Sequence, residues 1–295
     1  MTSRPQIEAQ NIIRRMHAQD MDSGGVFTQV TGGQGTGKTS IMLSFVKFTM
    51  QNYPEQKIFW SDCYKAPLQS LKAGLENCHF MVKKGSGVTF HDRNNKLEEV
   101  TEYIKPTYFT VGKNAVGEPD YSDVYEKAKT GKINVVFFGN RHRWMDFIGW
   151  LRDCGEWVHV YIEEFAEIAP TNPGGEMYQK MLQFADTLKD VRKCMINVYT
   201  NTQTPAEVDW RIRKKYMIRI YLPGSKVEGH GYTRVTQKAV DNLLRHPEGN
   251  EAYIDHAGTF GKTRFTDIFN PDHNLHLDAR ITSLPEEEED GKNSS

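Results

Sequence analysis

The chain has little of three features that would decide its class at once. It has four cysteines in 295 residues and no C-x-x-C pair, which favours free or buried thiols in a reducing compartment over a disulfide framework or a zinc site. No apolar run reaches the roughly 18 residues of a membrane-spanning helix. The N-terminal segment mixes charged and apolar side chains, so it has no signal-peptide core. These absences predict a cytoplasmic protein without an integral membrane segment.

The chain also has little net charge, and that charge is unevenly distributed. The formal net charge is −1, but residues 286–295 (EEEEDGKNSS) are mostly acidic. The remainder is therefore slightly basic, which does not prove a polyanionic partner but removes the argument against one. Hydrophobic residues make up 38% and charged residues 25% of the chain, a composition typical of a globular protein.

Near-continuous apolar stretches alternate with helical patterns along most of the chain. The pattern predicts strands at 26–30, 57–62, 133–139, 158–165, 195–203 and 216–222, and helices at 39–50, 143–153, 177–193 and 206–215. Buried strands that alternate with helices predict an α/β fold, with a mostly parallel sheet covered by helices on both faces.

The composition changes along the chain suggest a division into three parts. We expect an N-terminal helix in residues 1–24, a main domain in 25–270, and a C-terminal extension with an acidic disordered tail in 271–295. Residues 78–130 are turn-rich and are interpreted as an insertion on the sheet. Within them, residues 79–92 predict a hairpin that turns at Gly85-Ser86-Gly87. Residues 251–265 predict a closing hairpin.

A glycine-rich segment joins the first predicted strand to the helix at 39–50. It matches G-x-x-x-x-G-K-[ST] between a strand and a helix, as a phosphate-binding loop requires. A chance match in a chain of this length is about one in a hundred. The candidate nucleotide-binding residues are Gly32, Gly33, Gln34, Gly35, Thr36, Gly37, Lys38, Thr39 and Ser40.

The loop predicts how a nucleoside triphosphate would bind. Glycines let successive backbone N–H groups turn toward phosphate oxygens, and the helix N-terminus adds its partial positive charge. Lys38 would place a point charge between the β- and γ-phosphates, and the Thr39 hydroxyl would bind Mg²⁺.

Two carboxylates follow the apolar strand VHVYI at 158–162. We interpret Glu163 as the residue that faces Mg²⁺ and Glu164 as the catalytic base or water-orienting residue. The alternative is a solvated strand end with acids there by chance. Asp62 and Glu167 are competing carboxylates.

Polar and basic residues follow the next strand. An amide in Asn201-Thr202-Gln203 would lie beside the γ-phosphate, although an ordinary polar turn also fits. The basic residues that come next are Arg211, Arg213, Lys214, Lys215 and Arg219. They fit a solvated helix face, contacts to DNA phosphates or an arginine finger. For a finger we favour Arg213, then Arg211, with Arg141 and Arg143 as further candidates.

The order of these parts, with IEEFAEIAP, TNTQTPAEVDWRIRKK and EGNEAYIDHAGTFGKTRF after the loop, resembles the FtsK–HerA superfamily of DNA-pumping ATPases. Within it, the chain is similar to archaeal viral genome-packaging ATPases, conjugative coupling ATPases and zonula-occludens-toxin-like phage proteins. The resemblance covers roughly residues 25–265 and implies a RecA-like fold.

The resemblance implies a function and a set of roles. Lys38 and Thr39 bind ATP and Mg²⁺, Glu163 and Glu164 form the Walker B pair, and Gln203 senses the γ-phosphate. Such ATPases act as homo-oligomeric rings, usually hexamers, with double-stranded DNA in the channel. The implied function is to package a viral genome or to move plasmid DNA. For a viral member the implied partner is a capsid or portal vertex, and the location is the host cytoplasm or the virion vertex.

Two other functions begin with the same loop. A kinase of a small molecule or nucleotide would need an arginine-rich lid and an acceptor pocket. A nucleotide-switched assembly protein would turn ATP over slowly. Two adjacent acids on one strand and an amide on the next suit attack by water, which favours a hydrolase.

Overall fold

The structure is a computed structural model that describes residues 24–61, 75–92, 98–191, 193–229, 231–245, 250–256, 259–265 and 277–283. The predicted N-terminal helix, Asp62 and the acidic tail lie outside these residues. Within them, no helix combines the length and the apolar character that crossing a bilayer requires. The three-part division of the chain stays a prediction.

The described chain contains fifteen strands. They are β1 (Phe27–Thr31), β2 (Lys57–Ser61), β3 (Cys78–Lys83), β4 (Gly87–Asp92), β5 (Glu98–Glu99), β6 (Thr107–Phe109), β7 (Gly112–Lys113), β8 (Pro119–Asp120), β9 (Ile133–Phe137), β10 (Val158–Ile162), β11 (Ile196–Thr202), β12 (Ile218–Tyr221), β13 (Glu251–His256), β14 (Thr259–Arg264) and β15 (Leu277–Ser283).

The described residues also contain seven α-helices. They are α1 (Lys38–Asn52), α2 (Thr101–Ile104), α3 (Ser122–Lys127), α4 (Arg143–Leu151), α5 (Gly175–Asp190), α6 (Trp210–Arg213) and α7 (Gln237–Asp241). The predicted helix at 206–215 is shorter than expected, because Asp209 caps α6 by accepting a hydrogen bond from the Arg211 N–H.

Ten strands form the central sheet, in the order β14-β13-β12-β1-β11-β10-β2-β9-β3-β6. From β12 to β6 every neighbouring pair is parallel, and β13 and β14 close the other edge antiparallel. The mostly parallel α/β sheet and the closing hairpin are therefore confirmed.

Helices cover both faces of this sheet, as its two-sided burial requires. Ile41 and Phe45 of α1 pack with Val30 of β1 on one face. On the other face, Phe147 of α4 and Phe184 of α5 pack with Val160 of β10. The strands β1, β9, β10 and β11 are buried along their whole length. This burial explains why β9 and β10 are mostly apolar, whereas β1 and β11 also bury Thr, Gln and Asn side chains.

The predicted hairpin at 79–92 is wrong. β3 joins the central sheet, parallel to β9 and β6, whereas β4 pairs antiparallel with β15 and β5 in a separate three-stranded sheet. Four central residues of β3 are buried, but only Phe90 is buried in β4. The glycine turn at 85–87 does reverse the chain. However, β3 is buried on both faces within the central sheet, whereas β4 is only partly buried outside Phe90 and pairs in the smaller sheet.

Candidate nucleotide site

Three segments that are distant in sequence meet at one edge of the sheet. β11 lies between β1 and β10, with Thr31 paired to Thr202 and Ile162 paired to Thr200. Because these strands are parallel, their carboxyl ends share an edge, and neighbouring strands are about 4.8 Å apart. The phosphate-binding loop, the acid pair and the polar end of β11 therefore lie side by side, which is where α/β sheets bind ligands.

The loop at 32–37 has the backbone that its glycines allow. Gly35 and Gly37 have φ angles of 67° and 87°, in the left-handed region that favours glycine. Gly37 is the N-cap residue of α1, and within the described parts of the chain no side chain caps this end of the helix. These N–H groups and the helix dipole make an anion site at the carboxyl edge.

Lys38 begins α1 and points back over the loop. Its Nζ donates to the carbonyl oxygens of Gly32 at 3.0 Å and Gly33 at 3.1 Å. Burial lowers the pKa of the Lys38 ammonium, and the carboxylates of Glu164 and Glu163 oppose that shift. The cation is therefore held where phosphate oxygens would replace the two carbonyls as its partners.

Glu163 lies against Thr39, the two residues that the sequence predicts for the metal. Their side chains form a hydrogen bond. Burial raises the pKa of Glu163 to about 7, with a smaller contribution from Glu164, while Thr39 and Lys38 act in the opposite direction. A carboxylate enclosed at this cost is stabilised when a cation faces it.

A hydroxyl and one carboxylate suit Mg²⁺, which prefers oxygen ligands and retains waters or phosphate oxygens as the others. Among the described residues, no cluster of three or more His, Cys, Asp or Glu side chains could hold a metal ion by itself. A metal here would therefore take its remaining ligands from the nucleotide and from water.

Glu164 has a backbone conformation that is uncommon for its residue type. Its φ and ψ angles are 48° and 51°, in the left-handed region. Two side chains fix this turn, because Asn201 Oδ1 accepts from the Glu164 N–H at 2.9 Å and Ser61 Oγ accepts from the Glu163 N–H at 2.9 Å. The neighbouring strands thus hold the backbone of both acids in place, and held strain of this kind clusters at functional sites.

The polar end of β11 divides its two amides between different positions. Asn201 is buried and supports Glu164, whereas Gln203 is exposed one residue beyond the end of the strand. Gln203 therefore lies at the carboxyl edge with its side chain toward solvent. Ser40 and Thr39 are both partly exposed in the first turn of α1.

The two favoured arginines are paired within the chain. Arg211 makes two hydrogen bonds to the buried carboxylate of Asp209, at 2.9 and 2.8 Å, and lies over the ring of Tyr178 at 4.4 Å. Arg213 Nη1 lies 3.7 Å from the carboxylate of Glu228, and its guanidinium lies over the Tyr232 ring.

Arg219 completes this ionic cluster and Arg141 forms a separate pair. Arg219 binds Glu228 through Nε at 3.0 Å and donates to the Arg213 carbonyl at 2.7 Å. Arg141 pairs with Glu167 at 3.1 Å. Each of these four arginines has a partner inside its own chain, so the identity of an arginine finger stays a prediction.

Sequence reasoning missed the supporting role of four residues that hold the site in place. They are Ser61 and Asn201 behind the acid pair, Ser225, whose Oγ donates to the Thr31 carbonyl at 2.6 Å, and Asn250, whose Nδ2 donates to the Thr36 carbonyl at 2.5 Å. Only Asn201 carried a signal, because it belongs to the polar end of β11. The others belong to segments that folding brings to the edge.

No protein-family model matches the chain, and no curated protein matches its sequence significantly. Among solved structures, it is similar to the genome packaging NTPase B204 of Sulfolobus turreted icosahedral virus 2 in complex with ATPγS, at 11% identity and a TM-score of 0.44, over 80% of this chain and 94% of that one.

Two further structures show a similar likeness. The N-terminal domain of zonular occludens toxin from Neisseria meningitidis has 13% identity and a TM-score of 0.35, over 82% of this chain and 94% of that one. The cytoplasmic domain of the Thermomonospora curvata type VII secretion ATPase EccC has 12% identity and a TM-score of 0.46, over 86% of this chain and 27% of that one. Packaging NTPases and zonular occludens toxin are among the classes that the sequence resembles, but likenesses this weak carry no conclusion about activity.

The fold class therefore rests on the chain itself. A G-x-x-x-x-G-K-T loop joins a central parallel strand to α1, and an acidic strand end lies two strands away across β11. The chain has the α/β, RecA-like fold of a P-loop NTPase.

Proposed function

We propose that the chain hydrolyses ATP with Mg²⁺ at the carboxyl edge of β1, β11 and β10. The observation that carries the proposal is the convergence of Lys38, Thr39, Glu163 and Glu164. Charge on Lys38 is coupled to both carboxylates, and Thr39 contacts one of them. A cation, a metal-binding pair and a second carboxylate beside one helix N-terminus are the parts that phosphoryl transfer to water needs.

Each residue has a step in this reaction. The N–H groups of the loop and Lys38 bind the β- and γ-phosphates. Thr39 and Glu163 would hold Mg²⁺, and a bound Mg²⁺ would neutralise charge on the phosphate oxygens. Glu164 accepts a proton from a water molecule while the oxygen of that water bonds to the γ-phosphorus. The bond from phosphorus to the ADP oxygen then breaks, and ADP and inorganic phosphate are the products.

Gln203 and an arginine complete the proposed machinery. The exposed amide of Gln203 can reach a γ-phosphate from the end of β11 and orient the attacking water. An arginine from a neighbouring subunit, for which we favour Arg213 and then Arg211, would stabilise charge in the transition state. Arg213 is the better candidate of the two, because its contact with Glu228 is longer than the two bonds of Arg211 to Asp209.

We further propose that hydrolysis drives the movement of double-stranded DNA through a homo-oligomeric ring, in genome packaging or plasmid transfer. The order of sequence parts supports this proposal. So does Lys214 on the segment after α6, which is exposed and lies over the exposed Trp210 ring, 4.3 Å from its centroid, and so presents a cation at the surface. A viral member would dock its ring on a capsid or portal vertex from the host cytoplasm.

The experiment is an ATPase assay with and without duplex DNA, on the full chain and on Lys38→Ala. DNA-stimulated release of phosphate that requires Lys38 supports the translocase. Transfer of the phosphate to a small acceptor would replace it with a kinase, and slow turnover that ignores DNA would replace it with a nucleotide-switched assembly protein. A negative-stain image with an ATP analogue shows whether a ring with a central pore forms.

A further inference from the structure

The phosphate-binding loop is contacted by a residue from the far end of the chain. Asn250 precedes β13 by one residue, and its Nδ2 donates to the carbonyl oxygen of Thr36 at 2.5 Å, across 214 positions of sequence. A Cβ at Gly37 would lie 3.3 Å from the same nitrogen. Glycine at 37 therefore meets two needs at once, a φ of 87° and room for the Asn250 amide.

The position of Asn250 is itself fixed by packing. Its carbonyl accepts a hydrogen bond from the Phe265 N–H at 3.3 Å. Phe265 is buried and packs edge-on against Phe45 of α1, with ring centroids 6.0 Å apart. Next to Asn250, Glu251 accepts from the Leu244 N–H at 2.8 Å and pairs with Lys262 at 2.7 Å. The hairpin β13–β14 and helix α1 therefore hold the amide over the loop.

We infer that Asn250 is a positioning residue for the nucleotide, an inference that rests on the proposed ATP site. In a trans peptide the C=O and the following N–H point in opposite directions. A Thr36 carbonyl held by Asn250 therefore turns the Gly37 N–H away from Asn250 and into the loop, toward the phosphates. Without the amide, this peptide is free to rotate at a glycine, and one phosphate donor is no longer fixed in advance of binding.

Because Asn250 acts through the Gly37 N–H, which would bind phosphate, its loss has an effect that the loss of a purely structural residue would not have. Loss of Asn250 should weaken the binding of every ligand with a diphosphate group and leave the contacts to the base unchanged. It should raise the KM for ATP with little change in kcat, because the donor contacts the substrate and the transition state alike. Loss of a residue that only held the hairpin in place would instead lower the thermal midpoint and leave the nucleotide affinity of the folded protein unchanged.

The test compares Asn250→Ala with the matched variant Asn242→Ala on the full chain. Asn242 is exposed and directly follows the end of α7, and its amide donates to the carbonyl of Lys238 in that helix. Binding of a non-hydrolysable ATP analogue with Mg²⁺, of pyrophosphate and of adenosine is measured by calorimetry. We expect Asn250→Ala to weaken binding of the analogue and of pyrophosphate about 3- to 10-fold, the usual effect of one lost hydrogen bond. Adenosine binding and the Asn242→Ala variant should be unchanged.

Two further variants make the outcome decisive. Asn250→Gln keeps an amide donor and should recover part of the affinity, and Asn250→Leu repeats the test with a filled volume if the alanine variant does not fold. Binding by Asn250→Ala as tight as that of the wild type would overturn the inference and leave the ATP site standing. If the wild type itself binds no analogue, or Lys38→Ala binds it equally well, the proposed function fails instead.

Discussion

The carboxyl edge of the sheet and the arginine-rich segment after β11 both concentrate charge, but they compensate it differently. At the edge, Lys38 donates to two loop carbonyls, and burial raises the pKa of Glu163 to about 7. In the segment at 209–219, Arg211 is matched by Asp209 and Arg219 by Glu228. The buried charges at the edge would be stabilised by a ligand that carries both signs. A phosphate with Mg²⁺ is such a ligand, because the phosphate would face Lys38 and the Mg²⁺ would face Glu163. Charges that the fold already pairs contribute first to its own stability.

The largest expected effect is at the edge. Lys38→Ala should reduce ATP hydrolysis to background. The fixed Lys38 cation stabilises the negative charge that develops on the γ-phosphate in the transition state, and such a group raises the rate by a factor of at least about 10²–10³. The thermal midpoint should change little, because the two loop carbonyls to which Lys38 donates carry no charge that its removal would leave unpaired. Phosphate release and circular dichroism on the same sample measure both, and a folded variant with near-normal turnover would remove the loop assignment.

The second prediction tests whether the paired segment also serves the site of a neighbouring subunit. Arg213→Ala should leave ATP affinity nearly intact and lower turnover about 10³–10⁵-fold if Arg213 is a finger in trans. Mixing it with Glu164→Gln subunits should restore some activity, since one mixed interface then contains both intact groups. If rings form and mix but ATPase activity does not return, Arg213 serves only the ionic cluster of its own chain. The arginine-rich segment then takes no part in catalysis.

The third prediction concerns the stability of the same segment. Arg211→Ala leaves the buried Asp209 carboxylate without its two guanidinium bonds, although Asp209 still caps α6 by accepting from the backbone N–H of residue 211. We expect a loss of about 1–3 kcal/mol in the free energy of unfolding. The control is Arg152→Ala, whose exposed pair with Asp153 should contribute no more than about 1 kcal/mol. Urea titrations of both variants give the comparison, and equal losses would show that burial of Asp209 does not matter.

The smallest effect is on pH dependence, through a histidine far from both regions. His79 is buried between Asn134 and Thr107, and burial lowers its pKa, with the Asn134 hydrogen bond opposing the shift. The unfolded chain, with a His pKa of about 6.5, then binds more protons than the folded one. Stability is thus fully present above about pH 6.5 and is lost as the pH falls through the lower folded pKa. His79→Gln should flatten this dependence in urea titrations at pH 5 to 7, and an unchanged slope would contradict it.

The parts that the sequence predicted are those encoded locally. Burial on both faces makes β9 and β10 mostly apolar, and the loop must be contiguous to cradle phosphates, so both are visible in the sequence. The hairpin at 79–92 was wrong because a glycine turn specifies a reversal but not the partners of the strands. β4 finds its partner β15 nearly 190 residues later, with Phe90 paired to Ala279.

The supports of the site were out of reach for the same reason. Ser61, Ser225 and Asn250 contact the edge through backbone groups of other elements, and a lone serine or asparagine has no local pattern that shows such a contact. The partner of Arg213 and Arg219 was equally hidden, because Glu228 follows β12 and meets these arginines only in the folded chain. Sequence therefore predicted the groups that would touch a ligand better than the groups that hold them in place.

The central claim is that Glu164, and not Glu163, takes the proton from water at this edge. The most direct test is single-turnover ATP hydrolysis by Glu164→Gln and Glu163→Gln, with the binding of an ATP analogue measured in parallel. The account predicts that Glu164→Gln binds the analogue about as tightly as the wild type and hydrolyses ATP about 10²–10⁴-fold more slowly. A Glu164→Gln variant that hydrolyses ATP at a near-normal rate while Glu163→Gln is inactive would contradict it, and would show that the two roles are reversed.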